Sequence, residues 1–302
     1  MVWRPTIIDE NKRLELIDAD PKSKEVIKPI LRGRDINRYF YENPNLYILL
    51  TKNGIDVTKQ YPAIFQHLDS FGDGFKTRGA KGQHWTNLRA CSFFDDFALE
   101  KIIWIELTDL GRFSLCTEEI YLLNSAYFLI PPHEFKAKYL LALLNSKLIK
   151  FYLQQIANTS GVGTTRWINI YVKDFPIPEI SIANQEVFID AVNNITPCLV
   201  ELQTIQSQFL AVLQSKVALE KVSNKLQGWY ELEFKEFVKE LAKAKIILSL
   251  TETNEWLPFF AEQKKKAMDL KNEIEKTDKE IDRMVYVLYE LTEEEVRIVE
   301  GR

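Results

Sequence analysis

Hydrophobic positions follow two different patterns along this chain. Up to about Ile180 they come in short runs, NLYILLTK (45–52), KIIWIEL (101–107) and AYFLIPP (126–132). Their length and their β-branched and aromatic content predict strands. Between the first two, DVTKQYPAIFQHL (56–68) predicts a helix start, with Asp56 or Thr58 as its cap. In EFKAKYLLALLNSKLIKFYLQQIA (134–157), Leu140, Leu141, Leu144, Leu148, Phe151 and Tyr152 fall at helical spacing. Asn145 and Ser146 are poor helix formers and mark a break or a second cap inside it.

DFPIPEIS (174–181) ends this pattern, because prolines on both sides of Ile177 stop a helix and favour an extended linker. Beyond it every long segment is helical. Leu199, Leu202, Ile205, Phe209, Leu213 and Val217 form one stripe, and Ile274, Thr277, Ile281, Met284 and Leu288 form a heptad seam. Thr292 with Glu295 makes a capping box for a last short helix. The predicted fold is α+β: a mixed α/β domain over residues 1–180, then an all-α helical bundle or coiled-coil hairpin over residues 181–302.

Composition narrows this picture. A length of 302 residues, 46% of them hydrophobic and 12% aromatic, suffices for two cores and excludes global disorder. No window is apolar enough to span a bilayer, and MVWRPTIIDENKR carries charges where a signal peptide is apolar. Cys91, Cys116 and Cys198 are too scattered for a disulfide framework or zinc cage, which fits a cytoplasmic protein.

Evidence for an active site is thin. His67, His84 and His133 stand too far apart for a metal or triad signature. There is no phosphate-binding glycine fingerprint, no Asn-Pro-Pro-aromatic tetrapeptide, and no lysine at nuclease spacing from Asp95 and Asp96. No catalytic, cofactor-binding or metal-ligating residue is expected in this chain.

Charge carries the positive signal. The chain has 39 Lys and Arg against 43 Asp and Glu, yet three clusters in the first half run the other way. LRGRDINRYF (31–40) holds Arg32, Arg34 and Arg38. KTRGAKGQHWTNLR (76–89) holds Lys76, Arg78, Lys81 and Arg89 around His84 and Trp85. GVGTTRW (161–167) holds Thr164, Thr165 and Arg166. Arginine forks suit phosphates and guanine edges, and glycines allow close backbone approach. Each cluster also has a plain structural explanation. Arg-Gly-Arg-Asp fits a turn in which Arg34 or Arg38 pairs with Asp35, Trp167 fits a core, and Trp85 fits an anchor as well as a stacking surface.

DADPKSKEVIKPILRGRDINRYF resembles the opening segment of the TaqI-like C-terminal specificity domain. That is the target recognition domain of Type IIG restriction–modification enzymes and adenine-specific DNA methyltransferases. The order of YPAIFQHL, HWTNLR, KIIWIEL, LLNSKL, GVGTTR and FPIP is similar too, as is the ending KEIDRMVYVLYELTEEEVRIVE. The resemblance implies a domain that docks on double-stranded DNA and reads a short sequence. It would serve a methyltransferase domain or subunit in cis or trans, which uses S-adenosylmethionine, and Mg2+ where the parent also cuts. The chain starts near the start of that domain, as an excised C-terminal part or a free-standing specificity subunit would. Arg32, Arg34, Lys76, Arg78 and Lys81 are expected mostly on phosphates, and His84, Arg89, Thr164, Thr165 and Arg166 nearer base edges.

Three alternatives remain. A Type I specificity subunit or half-subunit would use its long helices as a spacer and could form a homodimer through the 270–290 seam. A helical protein-interaction module would not bind DNA. A self-sufficient nuclease or methyltransferase would act alone.

Overall fold

The computed structural model describes residues 5–108, 111–157, 165–217, 219 and 221–301. The chain divides into two compact units, one of residues up to Asn145 with Ile149–Glu179, the other of Ser146–Leu148 with Ile180–Arg302. The fold class is α+β, with small sheets in the first unit and long helices in the second.

Nine strands are found among the described residues of the first unit: β1 (Ile7–Asp9), β2 (Ile27–Leu31), β3 (Leu46–Leu49), β4 (Lys101–Ile105), β5 (Leu107–Thr108), β6 (Phe113–Cys116), β7 (Tyr121–Leu122), β8 (Ala126–Leu129) and β9 (Thr165–Arg166). They form sheets in the orders β1-β3-β2-β7, β6-β4-β8 and β5-β9. In the first sheet β2 pairs antiparallel with β3 (Ile27 opposite Leu49) and parallel with β7 (Ile30 opposite Tyr121).

In the second sheet Ile103 lies opposite Ser114 on one side and Phe128 on the other. β4 is therefore a central strand, and Lys101–Trp104 are buried, which is why KIIWIEL is apolar without alternation. Lys101 is the exception in chemistry. Its fully buried Nζ donates to the carbonyl oxygens of Phe97 (2.7 Å), Leu99 (3.2 Å) and Glu118 (2.7 Å). Three donors meet three acceptors, and the loop leading into β4 is tied to the turn after β6.

The predicted helical segment splits as the polar pair suggests, into Ala137–Leu144 and Lys147–Ile156. Asn145 does more than break it. Its side-chain amide accepts from the Phe113 N–H (3.1 Å) and donates to the Phe113 carbonyl (3.0 Å), standing in for a further strand beside β6. Asp56 is the cap of Val57–Gln60, accepting from the Lys59 N–H, and Pro62 opens a separate helix, Pro62–Asp69.

In the second unit, helices Ile182–Lys216 and Leu250–Leu288 pack on one another. Both contain a proline, Pro197 and Pro258, and both continue through it. Ser249 with Glu252 and Thr292 with Glu295 form capping boxes. The core is aromatic: Phe209 stacks on Trp229 at 3.7 Å and on Phe259 at 5.6 Å, with Phe237, Trp256 and Phe260 around them. Of the predicted stripe, Phe209, Leu213 and Val217 are buried. Of the heptad seam, Ile274, Thr277 and Ile281 are buried within the chain itself, while Met284 and Leu288 are partly exposed. Among the described residues no helix is long and apolar enough to cross a membrane.

Candidate nucleic-acid interface

The basic segment 76–89 is a tied loop. Helix Gly72–Lys76 leads into it, and the Arg78 guanidinium closes it from inside. Arg78 Nη1 donates to the carbonyls of Phe75 (3.0 Å) and Trp85 (2.7 Å), Nη2 to Asn87 (3.2 Å) and Nε to Ala80 (3.2 Å). Its Cζ lies 3.8 Å from the Phe75 ring centroid, and burial lowers its pKa from the ordinary arginine value. Asn87 Nδ2 donates to the Lys52 and Ile55 carbonyls (both 3.1 Å), and Thr51 Oγ1 donates to the Thr86 carbonyl (2.7 Å). These bonds fasten the loop to the turn after β3.

Gly82 answers to that turn. A Cβ there would collide with Asn53 Oδ1 and stand 2.5 Å from the Leu88 carbonyl oxygen, whereas Gly79 faces open space. The sequence argument that such glycines make room for DNA does not hold for Gly82, whose neighbours are protein atoms.

Most of the candidate cations have partners. Lys76 pairs with Asp69 (2.6 Å) and lies 5.2 Å from the Trp85 ring centroid, and the hydrogen bond to Asp69 raises its pKa. Trp85 packs against Phe65 (5.6 Å) and Phe75 (6.1 Å), which makes it an anchor of the loop. Exposed His84 holds Thr86 through Nδ1 (2.8 Å), and exposed Lys81 donates to the Lys76 carbonyl (3.3 Å). Arg89 is exposed and forms no hydrogen bond or ion pair with the described residues.

Arg-Gly-Arg-Asp is the structural turn that the sequence allowed, with a different arginine in it. Arg32, not Arg34 or Arg38, grips buried Asp35, with Nη2 at 2.6 Å and Nε at 2.9 Å, and that hydrogen bonding raises the Arg32 pKa. The three-residue spacing lets the Arg32 backbone N–H reach the same carboxylate (2.8 Å). A Cβ on intervening Gly33 would stand 2.8 Å from the Ser125 carbonyl oxygen. Arg34 is exposed. Arg38 Nη2 donates to the Asn145 carbonyl (3.1 Å), and its Cζ lies 4.9 Å from the Tyr39 ring centroid.

In the third cluster Arg166 pairs with Glu106 (2.6 Å) yet leaves half of its side chain exposed, and the Glu106 hydrogen bond raises its pKa. Thr165 is buried opposite Thr108 in the β5–β9 pair, so its side chain offers no surface to a base. Trp167 is buried against Phe113 and lies over Gly111. Thr164 and Gly161–Gly163 lie outside the described residues.

One of these clusters, the basic loop, opens onto a cleft of about 1080 Å³ in the first unit. Arg78 and Arg89 line it from the basic loop, while Phe93, Phe97, Tyr127 and Phe128 line it from the 91–99 segment and β8. Asn169, three residues after Arg166, also reaches it, and Arg166 interacts electrostatically with Tyr127. Arg32, Arg34 and Arg38 do not line it. The aromatic wall was overlooked in the sequence, although CSFFDDF (91–97) directly follows the basic loop. Among the described residues no group of three or more His, Cys, Asp or Glu could hold a metal ion.

Comparison with known proteins gives two family matches in series. Residues 28–177 match the TaqI-like C-terminal specificity domain, and residues 181–285 match a domain of unknown function (DUF8810). No curated protein matches the chain significantly in sequence. Among solved structures, the Type IIL restriction–modification enzyme MmeI in complex with DNA is similar, with a TM-score of 0.51 and 12% identity. The match covers 98% of this chain and 32% of that one, so the chain spans about a third of the enzyme's length. At that identity the likeness is one of fold.

Proposed function

We propose that the chain, whose residues 28–177 match the TaqI-like C-terminal specificity domain, recognises a short sequence in double-stranded DNA for a restriction–modification system. In this reading it is the specificity portion of a Type IIG-like adenine-specific methyltransferase. A methyltransferase domain or subunit, in cis or trans, supplies the S-adenosylmethionine chemistry, and this chain performs none by itself.

The observation that carries the proposal is the family match itself, since residues 28–177 contain all three basic clusters and all of the cleft lining except Pro5 and Thr6. The geometry supports a division of labour among the cations. Exposed Arg34, Lys81 and Arg89 and half-exposed Arg166 are free of burial and meet DNA, with His84 beside them. Arg32, Arg38, Lys76, Arg78 and Trp85 hold the presenting loops in shape. A loop ordered before binding loses less entropy when it docks, which favours sequence readout over diffuse attraction.

Selection from random duplexes followed by mobility shifts across a salt series tests the proposal. An enriched sequence is expected. About four phosphate contacts, one for each of these cations, would weaken binding roughly a hundredfold between 50 and 200 mM salt. Arg166→Ala should relax one base position by roughly ten- to a hundredfold if Arg166 reads guanine. Equal affinity for every sequence would overturn readout, and the absence of any shift would overturn DNA binding.

A further inference from the structure

We propose that the cleft beside the basic loop is a nucleotide pocket, which takes one base out of the stack of a bound strand and holds its phosphate at Arg89. The proposal rests on the DNA-reading function above and names the ligand of its cleft.

Shape comes first. Protein elements enter the grooves of a duplex, whereas a concavity of about 1080 Å³ is on the scale of pockets that enclose small molecules. Its wall is a stacking surface. Phe93 is 47% exposed, with its ring centroid 5.8 Å from that of Phe128 and 6.1 Å from that of Phe97. A half-exposed phenyl ring held in place by tilted contacts with two others offers a face to a flat π-system, and every nucleobase presents such a face.

Charge identifies the ligand further. Arg78, the other arginine of this cleft, is committed to four backbone carbonyls, while Arg89 is exposed and has no partner among the described residues. An uncommitted guanidinium at the edge of an aromatic cleft suits a phosphate. The remaining polar lining includes Asn124, Asn169 and Asp96, with Thr6, Cys91, Tyr121 and Tyr127. A carboxylate repels phosphate but accepts from an exocyclic amino group, and carboxamides pair with base edges. The cleft therefore offers an aromatic face, a cation and hydrogen-bonding groups for an amino-bearing base. Cytosine or adenine fits this set better than thymine, which has no exocyclic amine.

The test is a calorimetric titration of the full chain with dCMP, dAMP, TMP and deoxycytidine, alongside a duplex mobility shift. dCMP or dAMP is expected to bind more tightly than TMP. Arg89→Gln should weaken dCMP about tenfold and leave deoxycytidine unchanged, while Phe93→Ala should weaken both about tenfold. Asn124→Ala, which leaves the platform intact, should narrow the difference between dCMP and TMP. Thermal unfolding of each variant checks that it is folded. A chain that shifts duplex but binds no nucleotide, or whose nucleotide affinity survives Phe93→Ala, overturns the pocket and leaves the readout function standing. Loss of both duplex and nucleotide binding by the wild-type chain overturns both.

Discussion

Replacing Arg78 by lysine keeps the charge and removes the fork, and so separates a loop staple from a phosphate ligand. The guanidinium donates four hydrogen bonds, at 2.7–3.2 Å, to carbonyls spread over residues 75–87. A bond from a charged donor contributes about 1.5–3 kcal/mol when buried, and about 1 kcal/mol each is appropriate for this partly exposed group. Lysine can keep one or two of them, so the closed loop loses about 2–3 kcal/mol. If only the closed loop binds, apparent duplex affinity falls with the closed fraction, by up to about 30- to 150-fold. Hydrogen exchange should speed up at the amides of Gly82, Asn87 and Leu88, which bond to the carbonyls of Asn87, His84 and Thr51. The salt slope of duplex binding should not change, because the charge is conserved. A phosphate ligand behaves differently: lysine substitutes with little loss, and Arg78→Gln lowers the slope by about one. Wild-type affinity and wild-type exchange in Arg78→Lys would refute the staple.

Other residues give further outcomes. Lys101→Met strands three carbonyls that the ammonium now satisfies and should destabilise the first unit by about 3 kcal/mol, read as a lower urea midpoint at unchanged slope. Gly82→Ala should lower the thermal midpoint and loosen the basic loop, whereas Gly79→Ala should leave both as they are, because only Gly82 has neighbours that a Cβ would strike. Burial lowers the pKa of His67, whose Nε2–H donates to the Pro5 carbonyl (3.0 Å). The folded state therefore favours the neutral ring: its stability is complete above the ordinary imidazole pKa of about 6.5 and is lost as pH falls through the depressed value. Denaturation at pH 5 and 7.5 should show a larger acid loss in the wild type than in His67→Gln.

Features governed by local physics were legible in the sequence. The strands in NLYILLTK, KIIWIEL and AYFLIPP, the Asp56 cap, the break at Asn145 and the Thr292–Glu295 capping box follow from residues a few positions apart. Partners distant in sequence were not. Lys76 looked unpaired because Asp69 lies seven residues back on another helix. Arg166 finds Glu106 sixty positions away across the β5–β9 pair. Lys101 reads as a polar start to a strand and is fully buried, because Glu118 comes from the far side of β6. Which arginine met Asp35 was a matter of turn geometry: the alternatives were Arg34 and Arg38, and the three-residue spacing favoured Arg32. The cleft was illegible for the same reason, since its walls join residues from Pro5 to Asn169.

The parallel pairing of β2 with β7 sets Ile30 beside Tyr121, so the first two basic clusters and the aromatic segment 91–97 lie in one long excursion between two neighbouring strands. Closing so long an excursion is less demanding than its length suggests, because each doubling of a flexible loop adds only about 0.6 kcal/mol. Insertions between β3 and β4, the stretch that holds the basic loop, thus leave the sheet of β1, β3, β2 and β7 almost undisturbed. A scaffold of this kind can trade one loop surface for another over evolutionary time without having to find a new fold.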